Sequence, residues 1–481
     1  MLAAMPPSPS LRPTAAAPPL RDRGDACPGA LRLHSADDGS LARVRLPAGD
    51  LTARQASALA DAAERLGDGH LSLTSRGNVE LRGLAEDCGR ELAELLRDAG
   101  LLPSERHERV RNILASPLAG LDRRTPPDVR LWARQLDGLL CASTSATALS
   151  GRFLFVLDDG RGDVTALGGD VRLVAEPCGQ ARGTVAEATA GSSALLYVGD
   201  DPAAVRICGP DVARAALVAA EAFLGAAAAS GSGAWRIREL PAAHALTARG
   251  TAEAMRTAGI PAAYVPAPEQ PRPAPDHTNV PVPGVVEGPA EPDGSPGPHA
   301  LSVLAPLGRL TVDRWRLLAA VAAEDGAGVL RVTPWRGVIV PGLPAAASAP
   351  RLRELADAGL LTDPASPWHR TGACTGRPGC AKSLRDVRAD AAAVIADSPA
   401  GPPGLPVHWS GCARRCGHPH GTWVDVLATE DGYEVSVVGP EGRRPVPGSA
   451  ADDDAPAGTT ARLRDVAAAV SGATAPPPAA P

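Results

Sequence analysis

Two stretches of the chain decide the fold, because one repeats the other. Residues 66–84 read LGDGHLSLTSRGNVELRGL, and residues 325–343 read DGAGVLRVTPWRGVIVPGL. They form the centre of a longer match, in which residues 51–102 align with residues 310–361 without a gap. The register holds through the glycines of the turns and through the Asp-Ala-Gly-Leu-Leu that closes each copy. Two unrelated alanine-rich segments would lose register in the loops, so the chain contains an internal duplication.

Each copy has the hydrophobic pattern of strand, helix, strand, strand and helix. In the first copy, alternating apolar residues predict strands at 41–46, 71–74 and 79–84, and helical spacing predicts helices at 53–66 and 91–99. This order is half of a ferredoxin-like α+β unit. An open half-sheet leaves a strand edge unpaired. We therefore expect the two copies to pair with each other.

A longer stretch with mixed strand and helix patterns follows each copy, so the predicted fold class is α+β, with two half-domains that each precede an α/β domain. We predict one helix over residues 203–228 and a short helix near residues 461–470. Proline is dense between residues 266 and 298, as in linkers. The predicted organisation is a disordered tail (1–24), a ferredoxin-like half-domain (25–104), an α/β domain (105–247), a proline-rich linker (248–299), a second half-domain (300–361), a second α/β domain with the clustered cysteines (362–447) and an alanine- and proline-rich tail (448–481).

The composition excludes several classes of protein. A chain of 481 residues holds more than one domain, and a formal net charge of −6 argues against binding nucleic acid by neutralising phosphates. The most apolar window, residues 212–229, contains Arg214 and Glu221 and is too short for a bilayer-spanning helix. The first residues show no basic segment followed by an apolar one. We expect a cytoplasmic protein without a membrane or nucleic-acid partner.

Four of the nine cysteines lie in one region of the sequence. Five residues separate Cys374 from Cys380, and three separate Cys412 from Cys416. Four thiolates from two loops suit a [4Fe–4S] cluster, which takes one cysteine sulfur per iron, and the surrounding glycines would let the backbone approach it closely. A structural zinc site is one alternative, although zinc ligand pairs are usually roughly two to four residues apart. Four unrelated buried cysteines are the other alternative.

This cysteine spacing on a duplicated half-domain resembles the sulfite and nitrite reductase superfamily. Within it, several segments are similar to the precorrin-3B synthase family. These segments are residues 25–29, 38–39, 43–45, 74–84, 111–117, 333–337 and 410–419. The resemblance extends over nearly all of the chain between residues 25 and 447.

The resemblance implies an enzyme of aerobic cobalamin biosynthesis. Members of that family are monooxygenases that use O2 to hydroxylate the ring of precorrin-3A and close a γ-lactone, which gives precorrin-3B. It also implies that the four cysteines hold a [4Fe–4S] cluster and that a mononuclear non-haem iron takes the place of sirohaem. The implied partners are precorrin-3A, O2 and an electron donor, either NADH or a reductase.

Two other functions stay open at this point. The chain could be a sirohaem-dependent sulfite or nitrite reductase, in which the last cysteine also bridges to the sirohaem iron. It could also be a non-enzymatic Fe–S electron carrier or sensor. The carrier is the less favoured of the two, because it needs no large pocket lined by arginines.

Five arginines are candidate anchors for the carboxylates of a tetrapyrrole, because a guanidinium group binds a carboxylate through two parallel hydrogen bonds. They are Arg76, Arg82, Arg111, Arg152 and Arg336. The resemblance places Arg76 and Arg111 at the cofactor face. Solvated, exposed arginine is the alternative at each of the five positions.

One position separates the chain from the reductases. They carry two basic or polar side chains on the strand that matches residues 151–154, where this chain has Arg152 and Leu154. An arginine in place of a lysine is not informative about function here, because only one of the 48 basic residues of this chain is a lysine, Lys382. Leucine removes a donor and adds apolar surface, which would weaken a site for sulfite or nitrite. The change favours a large macrocycle as the substrate.

His418, two residues after Cys416, is the candidate catalytic histidine. It could ligate a second iron, donate a hydrogen bond to the substrate or move a proton. A loop histidine in a turn before Pro419 is the alternative, and His408 and His420 are weaker candidates. No spacing of two histidines and a carboxylate marks a non-haem iron site, so the ligands of that iron stay unassigned.

Overall fold

The computed structural model describes residues 25, 27–124, 129–176, 192–268, 280–291, 293–396, 404–419, 421–446 and 463–474. The helices in these ranges are α1 (Ala53–Leu66), α2 (Gly89–Asp98), α3 (Val129–Ala142), α4 (Val212–Ser230), α5 (Ala248–Thr257), α6 (Val312–Glu324), α7 (Ala345–Asp357), α8 (Val387–Ala396) and α9 (Leu463–Thr474). The strands are β1 (His34–Ala36), β2 (Gly39–Val44), β3 (Asp50–Thr52), β4 (His70–Leu73), β5 (Val79–Leu84), β6 (Ile113–Ala115), β7 (Phe155–Asp158), β8 (Val171–Glu176), β9 (Ser193–Val198), β10 (Ala204–Cys208), β11 (Ala262–Val265), β12 (Gly284–Val286), β13 (His299–Leu304), β14 (Arg309–Thr311), β15 (Val329–Val332), β16 (Gly337–Leu343), β17 (Thr371–Ala373), β18 (Val407–Ser410), β19 (Trp423–Ala428), β20 (Tyr433–Gly439) and β21 (Gly442–Pro445).

The two half-domains exchange a strand, as expected from their open edges. Their sheets have the orders β1-β2-β5-β4-β14 and β12-β13-β16-β15-β3, so each takes its last strand from the other copy. Leu310 of β14 lies opposite Leu71, and Leu51 of β3 lies opposite Leu330, in antiparallel register. Both edges are thereby paired, and the prediction that the copies pair with each other is confirmed.

The helices that follow the exchanged strands pack against each other. Thr52 and Thr311 cap α1 and α6 by accepting backbone N–H groups of the first helical turn. The indole N–H of the buried Trp315 in α6 donates to the carbonyl oxygen of Ala56 in α1 at 2.8 Å. Apolar residues of both copies share one core, so the two half-domains form a single packed unit.

The first α/β domain is a six-stranded sheet in the order β11-β10-β9-β8-β7-β6, packed with α3, α4 and α5. The domain is longer than predicted, because α5 and β11 complete it and extend it to Val265 instead of 247. The helix predicted over residues 203–228 is also wrong at its start. Val205 and Ile207 alternate with exposed neighbours as β10, and Gly209-Pro210 separates that strand from α4.

The apolar window predicted to be too short for a membrane span forms a longer helical segment than expected. Residues 209–230 have the length and the apolar composition of a span. Val212, Ala216 and Phe223 are nevertheless buried in the core of the first α/β domain. The segment is a core helix of that domain.

The second α/β domain has the sheet order β17-β18-β19-β20-β21, covered by α8 and α9. The structure corrects two predicted boundaries, the start of the second half-domain and the end of this α/β domain. β12 belongs to the half-domain sheet, not to a linker, because it pairs with β13. Helix α9, predicted to lie in a tail, contributes the buried Val466 to the domain core. Residues 1–24 and 269–279, the predicted N-terminal tail and part of the predicted linker, lie outside the described residues.

Candidate cofactor and substrate site

Two neighbouring parallel strands bring the two cysteine pairs to one edge of a sheet. β17 ends directly before Cys374, and β18 ends directly before Gly411 and Cys412. Because the two strands are parallel, their carboxyl ends lie side by side. The N–H of Gly411 donates to Sγ of Cys374 at 3.2 Å. The loops that carry Cys380 and Cys416 leave from the same edge.

The four thiols are free, with Cys416 exposed and the other three half-buried. Burial raises the pKa of the Cys374 thiol, and the nearby Cys412 and Cys416 raise it further. A buried thiol of this kind becomes a thiolate when a metal replaces its proton. The N–H···S hydrogen bond from Gly411 is of the type that adjusts the potential of Fe–S clusters.

The sulfurs of the described cysteines are not gathered as closely as a bound zinc ion would hold them. Tetrahedral ligation with Zn–S bonds of about 2.3 Å draws the sulfurs to about 3.8 Å from one another. Among the residues that the structure describes, no three of these sulfurs lie within 4.8 Å of one another. A cube with one iron per cysteine holds its sulfurs further apart. The four cysteines therefore fit the [4Fe–4S] cluster that the resemblance implies.

Arg82 positions the loop that carries Cys380. Its guanidinium group binds both carboxylate oxygens of Asp38, at 2.9 and 2.8 Å, and donates to the carbonyl oxygen of Gly379 at 2.8 Å. The N–H of Ala381 donates to the carboxylate of Asp37. Half-domain 1 thus holds the loop from both sides of the cysteine. Protein groups already occupy these donors, and the role of Arg82 as a substrate anchor stays a prediction.

The glycines of these loops are required for packing against protein atoms. A Cβ on Gly379 would lie 2.6 Å from Asp38, and one on Gly411 would overlap the hydroxyl of Ser383. Gly376 adopts a φ of +72°, a conformation that favours glycine. Close approach of the backbone to a cluster, the reason expected from the sequence, is therefore not the whole explanation.

Three arginines, which we call the basic cluster, gather where half-domain 1 meets the first α/β domain. They are Arg45 after β2, Arg76 in the turn between β4 and β5, and Arg152 before β7. Arg76 donates to the carbonyl oxygen of Gly151 at 3.2 Å. Arg152 lies over the ring of Trp235, with 4.8 Å between the guanidinium carbon and the ring centroid. The structure therefore brings two of the predicted anchors, Arg76 and Arg152, together.

Arg45 and Arg76 carry buried positive charge and form no ion pair with a carboxylate among the described residues, although Glu108 and Asp170 lie near enough to favour their charged forms. Burial, with repulsion from Arg43 and Arg76, lowers the pKa of Arg45 to about 9. Burial, with repulsion from Arg236, lowers the pKa of Arg76 to about 10. Both Nη atoms of Arg45 are buried without a hydrogen-bond partner in the described part of the chain. An anionic ligand would relieve this electrostatic cost.

Arg111 lies outside this arrangement. Its guanidinium group pairs with both carboxylate oxygens of Asp137 in α3, at 2.6 and 2.7 Å, and donates to the carbonyl oxygen of Leu101. Arg111 is only 5% exposed. Arg111 thus joins α3 to the segment directly before β6, and its role as a substrate anchor stays a prediction.

Arg336, the fifth predicted anchor, lies at the cysteine loops. Its Nη2 donates to the carbonyl oxygen of Gly417, next to Cys416, at 3.2 Å. Burial lowers its pKa, and the nearby Cys374 opposes that effect. Arg336 is thus positioned to act on the cluster site, whereas Arg76 and Arg152 form the separate basic cluster.

The histidines near Cys416 divide into an exposed and a buried one. His418 is exposed, stacks on Trp423 with 5.2 Å between ring centroids, and contacts the carbonyl oxygen of Pro419 through Nδ1. His408 of β18 is buried, and its Nε2 donates to the carbonyl oxygen of Cys416 at 3.1 Å. Burial and the nearby Arg336 lower the pKa of His408 to about 3, so its ring is neutral. The catalytic role of His418 stays a prediction, and His420 lies outside the described residues.

No group of side chains fits the implied mononuclear iron within the described residues. Three ligand-type side chains do meet there, those of Asp158, Asp159 and Asp163. Asp158 accepts hydrogen bonds from Gly160, Gly162 and Thr165, and Asp159 is paired with Arg161. These carboxylates already bind groups of the loop after β7. The ligands of a second iron therefore stay unassigned.

Leu154, the departure from the reductases, is buried in a small apolar group. It packs with Leu114, Val156 and Val164, and Trp335 of half-domain 2 lies against them. Trp335 occupies the position in the second copy that Arg76 occupies in the first. These apolar side chains therefore pack where half-domain 2 meets the first α/β domain.

Three residues of the site were not predicted from the sequence. They are Arg45, His408 as a contact of Cys416, and Arg388, whose Nε donates to the carbonyl oxygen of Cys374 at 3.1 Å. Arg43 and Arg45 are two residues apart in the strand predicted over residues 41–46 and would share one side of it, which is a usable signal for Arg45. Arg388 carries no such signal, because arginine is common throughout the chain.

Comparisons with known proteins agree with this architecture. The nitrite/sulfite reductase ferredoxin-like half domain matches residues 34–99 and 293–358. Precorrin-3B synthase from a Sinorhizobium species is 28% identical over 426 residues, which are 87% of this chain and 83% of the relative. Ferredoxin–nitrite reductase from Synechococcus elongatus is 28% identical over 404 residues, which are 79% of this chain and 74% of the relative.

A solved structure shares the fold. The structure of the Mycobacterium tuberculosis NirA protein matches with a TM-score of 0.63 and 18% identity, over 83% of this chain and 74% of the other. The two half-domains, their order in the chain and the curated relatives all agree with the resemblance in the sequence. The chain carries two nitrite/sulfite reductase ferredoxin-like half domains, and over most of its length it is similar to enzymes of the sulfite and nitrite reductase superfamily.

Proposed function

We propose that the chain is a precorrin-3B synthase, an O2-dependent monooxygenase that hydroxylates precorrin-3A and forms the γ-lactone of precorrin-3B. The similarity to the Sinorhizobium precorrin-3B synthase, over 87% of this chain, carries the proposal. Monooxygenation inserts one oxygen atom of O2 into the substrate and reduces the other to water. The balance needs two electrons and two protons, which we assign to NADH or a reductase as the donor.

The basic cluster supports a polyanionic substrate. Precorrins carry acetate and propionate groups, and the guanidinium groups of Arg76 and Arg152 have no carboxylate partner in the part of the chain that the structure describes. Arg45 adds buried positive charge beside them. In this proposal these arginines bind and orient the carboxylates, and the partly buried Trp335, which packs on the buried Leu154, offers apolar surface to the ring.

The four cysteines would hold a [4Fe–4S] cluster, which supplies one-electron transfer when bound. Arg82 fixes the Cys380 loop, and His408 fixes the backbone at Cys416. A mononuclear non-haem iron remains part of the proposal, without assigned ligands. His418 stays a candidate for donating or accepting a proton, because its exposed ring lies beside the same loop.

The second candidate function is a sirohaem-dependent nitrite or sulfite reductase. The Synechococcus ferredoxin–nitrite reductase favours it, since its identity to this chain is the same, 28%. Leu154 speaks against it, because a buried apolar side chain cannot bind a small oxyanion. A non-enzymatic electron carrier or sensor is less favoured, because it would not need the basic cluster.

Incubation of the purified protein with precorrin-3A under O2, with a reductant supplied, tests the proposal. We expect the mass of the tetrapyrrole to rise by one oxygen atom, with the label incorporated from isotopically labelled O2. Parallel samples under argon, and with nitrite or sulfite in place of the tetrapyrrole, are the controls. Reduction of nitrite or sulfite together with a sirohaem absorption band, and no oxygen insertion, would replace this proposal by the second one.

The cluster has a separate test. Replacing Cys416 with serine is expected to abolish bound iron and sulfide together with visible absorbance, because one iron loses its thiolate. Cys208→Ser is the matched control, since Cys208 is also an exposed thiol but lies in β10 of the other α/β domain. Unchanged iron and sulfide in Cys416→Ser would remove that cysteine from the ligand set.

We also propose that the enzyme acts in the cytoplasm and has neither a nucleic-acid nor a membrane partner. The net charge of −6 and the burial of the apolar segment at residues 209–230 support this. Partition of activity into the soluble fraction of a cell lysate tests the location.

A further inference from the structure

Arg336 adopts a backbone conformation that the duplicated copy assigns to glycine. It has a φ of +60°, and the matching position in the first copy is Gly77, with a φ of +63°. Side-chain-bearing residues adopt this conformation at an energetic cost, and such residues concentrate at functional sites. The side chain of Arg336 is therefore the feature that distinguishes this turn from its counterpart in half-domain 1.

The side chain of Arg336 runs through a slot lined by three glycines. A Cβ on Gly372 would lie 2.6 Å from its Nη1, one on Gly417 would lie 2.9 Å from its Nη2, and one on Gly308 would overlap its aliphatic part. Gly308 belongs to half-domain 2, whereas Gly372 and Gly417 belong to the second α/β domain. The slot leads the guanidinium group from one domain to the cysteine loops of the other.

Arg388 approaches the same cysteines from helix α8. Its Nε donates to the carbonyl oxygen of Cys374 at 3.1 Å. Burial lowers its pKa to about 10, with repulsion from Arg309, Arg336 and Arg82, and Cys374 opposes the effect. The two arginines thus approach the cysteine loops from two elements, Arg336 from half-domain 2 and Arg388 from α8.

Neither guanidinium group has a carboxylate partner within the described residues, and Cys374 is the nearby group that favours their charged forms. Other arginines of the region differ in this respect, since Arg82 is paired with Asp38 and Arg415 with Asp425. Buried charge without a counter-charge is costly. A cluster bound by four thiolates is a net anion, and one further electron makes it more negative.

We propose that Arg336 and Arg388 form the counter-charge of the four-cysteine site and raise the reduction potential of the cluster bound there. Both are positioning residues that act on the cluster electrostatically, since neither supplies a ligand atom. The attraction between the arginines and the cluster is stronger in the reduced state, which carries one more negative charge. The inference rests on the proposed cluster and is independent of the proposed reaction with a tetrapyrrole.

The test is a redox titration of the intact, cluster-containing protein, with dithionite as the electron source and electron paramagnetic resonance as the readout. Arg336→Gly removes the charge and relieves the positive φ, so folding should not suffer, while Arg388→Gln removes the second charge. We expect the midpoint potential to become more negative in each variant and more so when the two are combined. Arg336→Lys, which keeps the charge, should restore most of the wild-type potential.

Arg385→Gln is the matched control, because its guanidinium group donates to the carbonyl oxygens of Thr429 and Glu430 and should leave the potential unchanged. Iron and sulfide analysis of each variant comes first, so that potentials are compared at equal cluster content. An unchanged potential in both charge-removing variants overturns the inference, as does wild-type protein that binds no cluster. Failure to convert precorrin-3A, with the potential shifts observed, would overturn the proposed reaction alone.

Discussion

Individual arginines divide into those that hold the protein together and those that are free for a ligand. Arg111 and Arg82 use their guanidinium groups on Asp137 and Asp38, whereas Arg76 makes a single hydrogen bond to a backbone carbonyl oxygen. The sequence does not separate these cases, because Asp137 lies on a helix 26 residues away from Arg111 and its approach is decided by packing. The four cysteines could be predicted because ligands in two short loops have a recognisable spacing in the sequence. An ion pair between distant residues has no such spacing.

Arg76→Gln and Arg111→Gln should therefore affect different quantities. The first variant removes a positive charge from the basic cluster and should raise KM for precorrin-3A about tenfold, as one lost charge-assisted hydrogen bond implies. The second leaves the half-buried Asp137 unpaired and should lower the free energy of unfolding by about 3 kcal/mol, with KM unchanged. Steady-state kinetics and denaturant unfolding of both variants provide the measurements. An unchanged KM in Arg76→Gln would exclude that residue from the substrate site.

Asp163 should make stability depend on pH. Burial, followed by repulsion from Asp158, raises its pKa to about 7, and one carboxylate oxygen is buried without a partner within the described residues. The folded protein therefore holds a proton that the unfolded chain releases near its ordinary pKa of 3.8. Stability is then greatest below that value and falls as pH rises towards 7, by at most about 1.4 kcal/mol per pH unit.

Replacing Asp163 with asparagine should remove this slope, because the amide stays neutral. We expect the variant to be more stable than the wild type at about pH 8 and to approach it at about pH 5. Denaturant unfolding across that range measures the difference. Asp122→Asn is the control, since Asp122, in the segment after β6, pairs with Arg161 and makes no hydrogen bond to Asp163 among the described residues. Parallel pH profiles for the wild type and Asp163→Asn would contradict the assignment.

At the scale of single elements, the strand exchange followed from the sequence, but its consequences for the helices did not. An unpaired edge predicts that a partner is needed, and the duplication supplies one. The contact of α1 with α6 depends on Trp315, which replaces the alanine of the first copy at position 56. The predicted helix wrongly included β10 for a local reason. This strand has only five residues, and because it directly precedes an alanine-rich helix, its apolar residues are read as part of the helical pattern.

Trp315→Phe should destabilise both half-domains together. The variant loses the hydrogen bond to Ala56 and leaves a cavity between α1 and α6, for a combined cost of about 2–3 kcal/mol. Equilibrium unfolding followed by far-UV circular dichroism should show one transition at lower denaturant concentration. Trp368→Phe is the control, because Trp368 is only half-buried and lies in the second α/β domain. Loss of structure in one half-domain alone would show that α1 and α6 are not energetically coupled.

For the whole molecule, the order of segments was predictable and the interfaces between them were not. The duplication fixes where each half-domain lies, and the boundaries moved only where α5, β11, β12 and α9 joined neighbouring sheets and cores. The site combines residues from distant segments, as in the hydrogen bond of Arg82 to Gly379, which are 297 residues apart. Such a contact depends on how the halves pack, and one sequence carries no trace of it.

Because each half-domain sheet contains a strand of the other copy, we expect neither half of the chain to fold alone. Residues 25–268 without their partner would expose the edge of β4, and residues 280–474 would expose the edge of β15 and the buried face around Trp315. Expressed separately, both halves should aggregate. Expressed together, they should co-purify in equal amounts through a tag on one half, because each supplies the strand that the other lacks. A separately expressed first half that is monomeric and unfolds cooperatively would contradict this, since its sheet would then be stable without β14.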